Sequence, residues 1–393
     1  MVVGFSTFKR FRKTCLGLLL VALTCTWVGC ENLRYYNQAI NGQYKIVTSK
    51  RPIDKVIADS ATPADLRQKL QRVVELRAYA QKELHLPVDG HYLQYADVHR
   101  RFVVWNVYAA PEFSLEPKSW TFPIVGKATY RGYFSEKSAR DYADKLKKQG
   151  FDVHVGGVEA YSTVGWFRDP VLNTFINNND VDLAETLFHE LAHQTAFAKG
   201  DTDFNEAFAT AVAEEGLRRW MLSTTNMVGR ESPRAAWDEY KASLKRKDEF
   251  LRLVMNTRQQ LERLYSYQTV TSTQVASLSP TGKEGWGEGA IPAAIPRDKR
   301  LRKQQILAQL RDDHEKLKST WGGKSEYDHW FSKPVNNAKL STVATYYEFV
   351  PAFNRLLAQQ NGDLSAFYQR VRNIAKLPKA ERHALLQSLL KQS

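Results

Sequence analysis

An α+β fold, mostly helical, is predicted by three features of the sequence. Strand-like alternation rich in Val, Trp and Tyr is confined to residues 101–159. From Asp180 onward the apolar spacing is almost entirely that of helices. Two helical segments, 181–198 and 204–220, follow each other across a short turn. They read as a helix hairpin between a small β-sheet and a C-terminal helical region.

In chain order, residues 31–60 read as a tether into the body. Asp65 to Leu84 carries Leu66, Leu70, Val73, Val74 and Ala78 on one helical stripe. Arg101 to Ala110, Thr121 to Val125 and Ala128 to Phe134 read as strands, the last two parted by a glycine-containing turn. Ser135 is placed to cap a helix that runs to Gln149 and stops at Gly150. Phe151 to Glu159 returns to strand. Ser232-Pro233 begins a long helix reaching about Tyr267, because proline in a first turn forfeits no hydrogen bond. A second charged helix, Asp298 to Ser319, would pair with it as an antiparallel arm. Between them, 269–296 is rich in Thr, Ser, Gly, Pro and Ala and reads as a flexible insertion. Asn336 to Gln360, Leu364 to Lys376 and Pro378 to Lys391 complete the helices.

Composition narrows the functional classes. With 43% apolar and 25% charged residues, the chain is globular rather than disordered. The net charge is +14, of which Lys9, Arg10, Arg12 and Lys13 supply four. No nucleic-acid motif accompanies that charge and the basic residues are interspersed with acids, so no nucleic-acid partner is expected. The basic start is followed by an apolar run, Cys15 to Val28, of secretory rather than membrane-spanning length. It ends in Trp27-Val28-Gly29-Cys30, which resembles a bacterial lipobox. Residues 1–30 therefore read as a lipoprotein signal peptide with lipidation at Cys30. Residues 31–393 form the working domain, on a membrane lipid anchor in the cell envelope, facing the periplasm. All three cysteines lie at positions 15, 25 and 30, so a thiol nucleophile or cysteine metal ligand in the body is excluded.

The chemistry lies in His189-Glu190-Leu191-Ala192-His193. Residues four apart share one helix face, where two imidazoles can grip a single zinc ion. Glu190 lies about 100° around the helix. From there it can act as general base toward a zinc-bound water attacking a peptide carbonyl. Chance produces such a pattern in about one per cent of chains of this composition. The uncharged neighbours Leu187, Phe188, Leu191 and Ala192 suit a buried helix. A catalytic zinc needs a third protein ligand and one open position. Ala196 and Lys199 stand where a metzincin needs Gly and then His or Asp, which excludes that solution. An antiparallel hairpin would instead bring Glu206 of the second helix to the histidine face. Asp201 and Asp203 are nearer in sequence and read as turn and cap.

His189 to His193 followed by Asn205-Glu206-Ala207-Phe208-Ala209 resembles the gluzincin metallopeptidases, whose second motif often reads Asn-Glu-Gly-Phe-Ala. The chain as a whole is similar to a bacterial family of putative aminopeptidases, lipoprotein-like proteins. The likeness includes Tyr130 to Phe134, Ala160 to Phe167, Asp169 to Leu172, Asn336-Asn337 and Tyr346 through Val350 to Phe353. It implies a zincin-type helix hairpin, one Zn2+ per chain and a peptide substrate. It also implies an oxyanion donor at Tyr346, although Tyr347 is chemically equivalent. Gly157, Glu159 and Tyr161 fall where related enzymes place a strand that pairs with substrate, and where a glutamate can hold its amino group. A strand end that merely packs is the other reading. Glu185, one turn before His189, would either orient that imidazole or favour the helix dipole. Glu214 reads as a salt-bridged surface residue. The competing functional reading is a non-enzymatic envelope lipoprotein with a vestigial or structural metal site; a sealed histidine face would mark it.

Overall fold

The computed structural model describes residues 30–123, 126–160, 168–223, 233–276 and 297–391. The leader 1–29, Tyr161 with the rest of its motif to Phe167, and most of the insertion (277–296) lie outside the described residues. The fold is α+β and mostly helical, with three small sheets.

The expected tether is instead structured. Residues 31–60 form helix α1 (Cys30–Thr48), strand β1 (Arg51–Pro52) and helix α2 (Ile53–Ala58). Tyr35 and Ile46 of α1 face the body, while Leu33, Ile40 and Tyr44 face out. Two opposed apolar faces among Asn and Gln leave no single stripe to recognise, which is why the helix is hard to read. Helix α3 (Ala64–Lys82) buries Leu70 and Val73 of its expected stripe, but Leu76 and Ala80 complete the buried face and Val74 is exposed.

The strands β2 (Gln94–Ala96), β3 (Val104–Pro111), β4 (Trp120–Phe122), β5 (Gly126–Ala128) and β6 (Arg131–Tyr133) precede helix α4 (Glu136–Lys148). Ser135 caps α4 by accepting from the Ser138 amide, and Gly150 ends it at φ +84. Strand β7 (Phe151–Val158) then returns beside β3. The main sheet runs β6-β3-β7, antiparallel throughout, with Trp105 opposite both Tyr133 and Gly157. Residues 128–134 are two strands rather than one: β5 pairs with β4 and β6 with β3. Alternation divides the faces of β3. Val107 and Ala109 pack on Ala139, Ala143 and Leu146 of α4. Tyr108 and Ala110 pack on Ala338.

Strand β8 (Val171–Leu172) and helix α5 (Asn173–Ile176) lead into α6 (Asp180–Ala192) and α7 (Thr202–Leu222). Helix α6 is shorter than its expected 181–198. The amides of Gln194 and Thr195 bond the carbonyls of Leu191 and Ala192, tightening the chain into a turn. Helix α7 is buried nearly all round, from Phe204 to Met221. Its Gly216 lies against Phe188 and Leu84, while Glu206 lies beside His193. Helices α6 and α7 are therefore antiparallel neighbours.

Helix α8 (Pro233–Ala276) runs past its expected end. It pairs with α9 (Arg297–Thr320) in antiparallel sense: Lys299 bonds the Tyr265 carbonyl and Trp321 bonds Glu249. The pair is not a free arm. Phe250, Val254, Leu261 and Leu310 form a second core with Phe331 of α10 (Asp328–Phe331) and Leu340 of α11 (Asn337–Tyr347). Pro351 lacks an N–H for the preceding turn, and the expected 336–360 helix divides there into α11 and α12 (Val350–Gln359). Helices α13 (Leu364–Ala375) and α14 (Lys379–Lys391) close the main core over α7. Among the described residues, no helix is long and apolar enough to cross a membrane.

Candidate metal centre

Asn179 starts α6 by accepting the Asp182 amide. Four turns of mainly apolar helix follow, and Leu183, Leu187 and Leu191 fix its buried face. That orientation presents His189 and His193 on one side. Their Nε2 atoms are 3.2 Å apart. Glu206 Oε2 lies 3.3 Å from His189 Nε2 and 3.7 Å from His193 Nε2. An ion bound tetrahedrally at about 2.0–2.1 Å has ligand-to-ligand edges of about 3.4 Å. The triangle of donor atoms has that size. With both imidazoles neutral and protonated at Nδ1, three lone pairs would converge, as a bound cation requires. Among the described residues two further His and carboxylate clusters occur. Asp201 with Asp203 and His383 is already occupied by Arg382 and Lys379, and His314 with Glu315 and Asp328 is largely exposed.

The turn joining α6 and α7 is fixed by Asn205, whose motif role sequence reading missed. Its side chain accepts the Ala198 amide at 2.8 Å and donates to the Ala198 carbonyl at 2.9 Å. Both groups are buried, so the clamp sets where α7 begins relative to α6. Asp201 caps α7 through the Phe204 amide, as expected for a turn aspartate. At the same turn, Gly126 at the tip of β4–β5 packs against the Gly200 backbone. A Cβ on Gly126 would lie 3.2 Å from the Gly200 amide nitrogen, and both residues hold positive φ.

A cleft of about 380 Å³ opens on the three donors. Tyr130, Gly132 and Phe134 line it by strand alternation, while Arg131 and Tyr133 point the other way toward Tyr35 and Tyr142. Val158 at the end of β7 and Ala160 just beyond it form another wall, and α1 contributes Tyr35 and Ala39. Glu190 lines the cleft, and its Oε2 is buried with no hydrogen-bond partner. Burial pushes its carboxyl up to about 8, against the lowering charge of His193. Glu206 behaves oppositely. Burial would raise it, but the charges and hydrogen bonds of His193 and His189 hold it at about 2. Burial lowers His189 and favours its neutral form.

Tyr346 of α11 stacks near His189, with ring centroids 6.4 Å apart, and lines the cleft. Burial and then the Glu206 charge raise its phenol well above the ordinary range, so it stays a proton donor. Tyr347 points away, under Lys247. Tyr130 is a second buried phenol at the cleft, which the sequence marked as strand and as part of the family likeness without a role. Glu185 does not orient His189: its carboxylate lies 3.7 Å from Lys247 Nζ. Lys247 also pairs with Glu214 at 2.7 Å, so Glu214 is a salt-bridged residue as read. Glu159 accepts from Asn178 at 3.0 Å, toward α5 and away from the donors. Gly157 sits in the edge strand opposite Trp105, covered by the Phe102 ring.

Neither the curated proteins nor the solved structures contain a match to this chain. A protein family does match, the one described as Putative aminopeptidase, over residues 34–280 and 293–386. The match takes in every helix that positions the donors, and it breaks only at 281–292, inside the insertion. On that coverage, the chain belongs to the putative aminopeptidase family.

Proposed function

We propose that this chain is a zinc-dependent peptidase, with zinc held by His189, His193 and Glu206. The carrying observation is the donor triangle of zinc-like dimensions opening on a cleft beside an unpartnered carboxylate. Zinc at such a site acts as a Lewis acid and brings the pKa of a bound water toward neutrality. Glu190 is the general base: the charge of a bound cation would bring its burial-raised carboxyl down, and its Oε2, with no other partner, would then accept the proton of the attacking water and pass it to the leaving amine. Tyr346 donates its phenolic hydrogen bond to the oxygen that gains charge as the carbonyl is attacked. Among the described residues β7 is an edge strand, and beyond Val153, whose carbonyl accepts from Asn336, its outer edge is where an extended peptide can lie. The aromatic walls, Tyr35, Phe122, Phe134 and Phe197, favour apolar side chains. A vestigial site sealed by side chains would favour a non-enzymatic lipoprotein, and the open cleft supports the peptidase instead.

The purified protein should carry about one zinc per chain by elemental analysis, and Glu206→Ala should lose most of it. Glu190→Gln should keep the metal and lose peptide cleavage by a factor of about 10²–10⁴. Full zinc retention in Glu206→Ala sinks the ligand assignment, and unchanged turnover in Glu190→Gln removes the base. Peptides with free and blocked amino termini distinguish an aminopeptidase, which cleaves only the former, from an endopeptidase. The same reading places the protein in the cell envelope, held at a membrane through lipidated Cys30.

A further inference from the structure

Helix α1 presents an apolar stripe that nothing in the described structure covers. Leu33, Tyr36, Ile40, Tyr44 and Val47 fall within roughly 80° of arc at helical spacing. Leu33, Ile40 and Tyr44 are each about two-thirds exposed. The opposite face is engaged with the body. Tyr35 meets Tyr133 edge-on, Gln38 accepts the Phe134 amide, Gly42 lies on the Phe134 ring and Ile46 is buried. The helix is therefore fixed in orientation, and its exposed stripe is not an artefact of a loose segment.

Three facts identify what covers that stripe. First, α1 starts at Cys30, directly after the apolar run Cys15 to Val28 and the basic residues before it. Second, residues 32–53 contain no acidic side chain. Arg34 and Lys45 lie about 120–140° around the helix from the centre of the stripe, toward the packed face, so the stripe itself carries no charge of either sign. Third, the stripe pairs aliphatic residues with two tyrosines, side chains with an apolar body and a polar tip that suit a membrane boundary.

We propose that α1 lies flat on a lipid bilayer, with this stripe in the headgroup–acyl boundary. The inference rests on the reading that the chain is held at a membrane by the segment ending at Cys30, and it adds a fixed orientation. Because Tyr35 and Ala39, on the opposite face of the same helix, line the cleft, the docked helix holds the cleft one helix diameter (~10 Å) from the bilayer surface. The substrate class is then a peptide segment presented at, or tethered to, the membrane.

The test uses the full chain carrying the photocrosslinker p-benzoylphenylalanine at one position, on vesicles of phosphatidylcholine and phosphatidylglycerol. Ile40→p-benzoylphenylalanine should give a lipid adduct at least about tenfold above Lys316→p-benzoylphenylalanine, a position on the distal helix α9. In a Leu33→Asp/Ile40→Asp background, Tyr44→p-benzoylphenylalanine should lose its lipid adduct while the chain stays with the vesicles. Equal adducts at 40 and 316, persistence in the aspartate background, or crosslinks from 40 to a second copy or to residues 1–29 would overturn the orientation and leave the anchoring intact. A chain that does not sediment with vesicles at all overturns both.

Discussion

At the residue scale, the histidines and Glu190 were legible because four-residue spacing equals one helical turn, a relation that holds whatever surrounds the helix. Glu206 was reachable because a short turn between two helices leaves an antiparallel hairpin as the simplest geometry. Glu185 and Tyr347 were not legible in the same way. Both are claimed by Lys247, which arrives from α8, and no local pattern announces that partner. The choice between Tyr346 and Tyr347 depends on how α11 is rotated about its axis, which the packing of Ala338, Leu340 and Ala344 decides. Tyr346→Phe keeps the ring beside His189 and removes only the donor. Its expected effect is a fall in kcat of about 10²–10³ with little change in KM or zinc content. Steady-state kinetics of the purified variant check this, and a pure KM effect would reassign Tyr346 to packing.

At the scale of elements, helix α7 has the least latitude. It is buried around most of its circumference, so its sequence of Ala, Phe and Gly records close approach rather than an amphipathic stripe. Gly216 is the tightest such point. A Cβ there would lie 2.7 Å from Leu84 Cδ1 and 3.1 Å from the Phe188 ring. Gly216→Val should destabilise the protein by ~1–3 kcal/mol through overpacking, read as a lowered unfolding midpoint in denaturant. A variant as stable as the parent would mean that Leu84 and the Phe188 ring of α6 yield at this contact. The same crowding explains why α7 is easily read as a helix while its neighbours are not predictable from it. Helix α1 failed to be read for the opposite reason: its two apolar faces belong to different surroundings, and a single-stripe criterion sees neither.

At the scale of the whole molecule, the mostly helical α+β class followed from where alternation stops and helical spacing begins. The docking of α14 on the start of α7 did not, because it goes through a buried ion cluster that no local pattern announces. Asp201, which caps α7, is fully buried and receives Arg382 at 2.8 Å and His383 at 2.9 Å from α14. Burial alone would raise its carboxyl, but the bonds and charges of His383, Lys379 and Arg382 bring it down from 3.8 to about 2. A depressed carboxyl stabilises the fold above its unfolded value and loses that contribution as pH falls through the folded one. The contribution is about 2 kcal/mol, present above pH ~4 and lost toward pH ~2. Asp201→Asn should flatten the acid limb of the stability curve. At neutral pH it should cost toward the low end of ~3–5 kcal/mol, because Arg382 keeps its bonds to the Ala375 and Leu377 carbonyls. Denaturation at a series of pH values measures both. An unchanged acid limb would shift the acid sensitivity to other carboxylates.

The contact between Gly126 and Gly200 has a mechanical consequence. On one side, Lys127 and Ala128 of the hairpin form part of the cleft roof. On the other, Gly200 belongs to the turn that spaces His193 from Glu206, and Asn205 holds that turn rigidly. With no side chain at either glycine to act as a cushion, the roof and the turn meet backbone to backbone. Under the proposed function, a peptide that lifts the hairpin would therefore pull on the same few residues that space His193 from Glu206, coupling substrate accommodation to the spacing of the three donors.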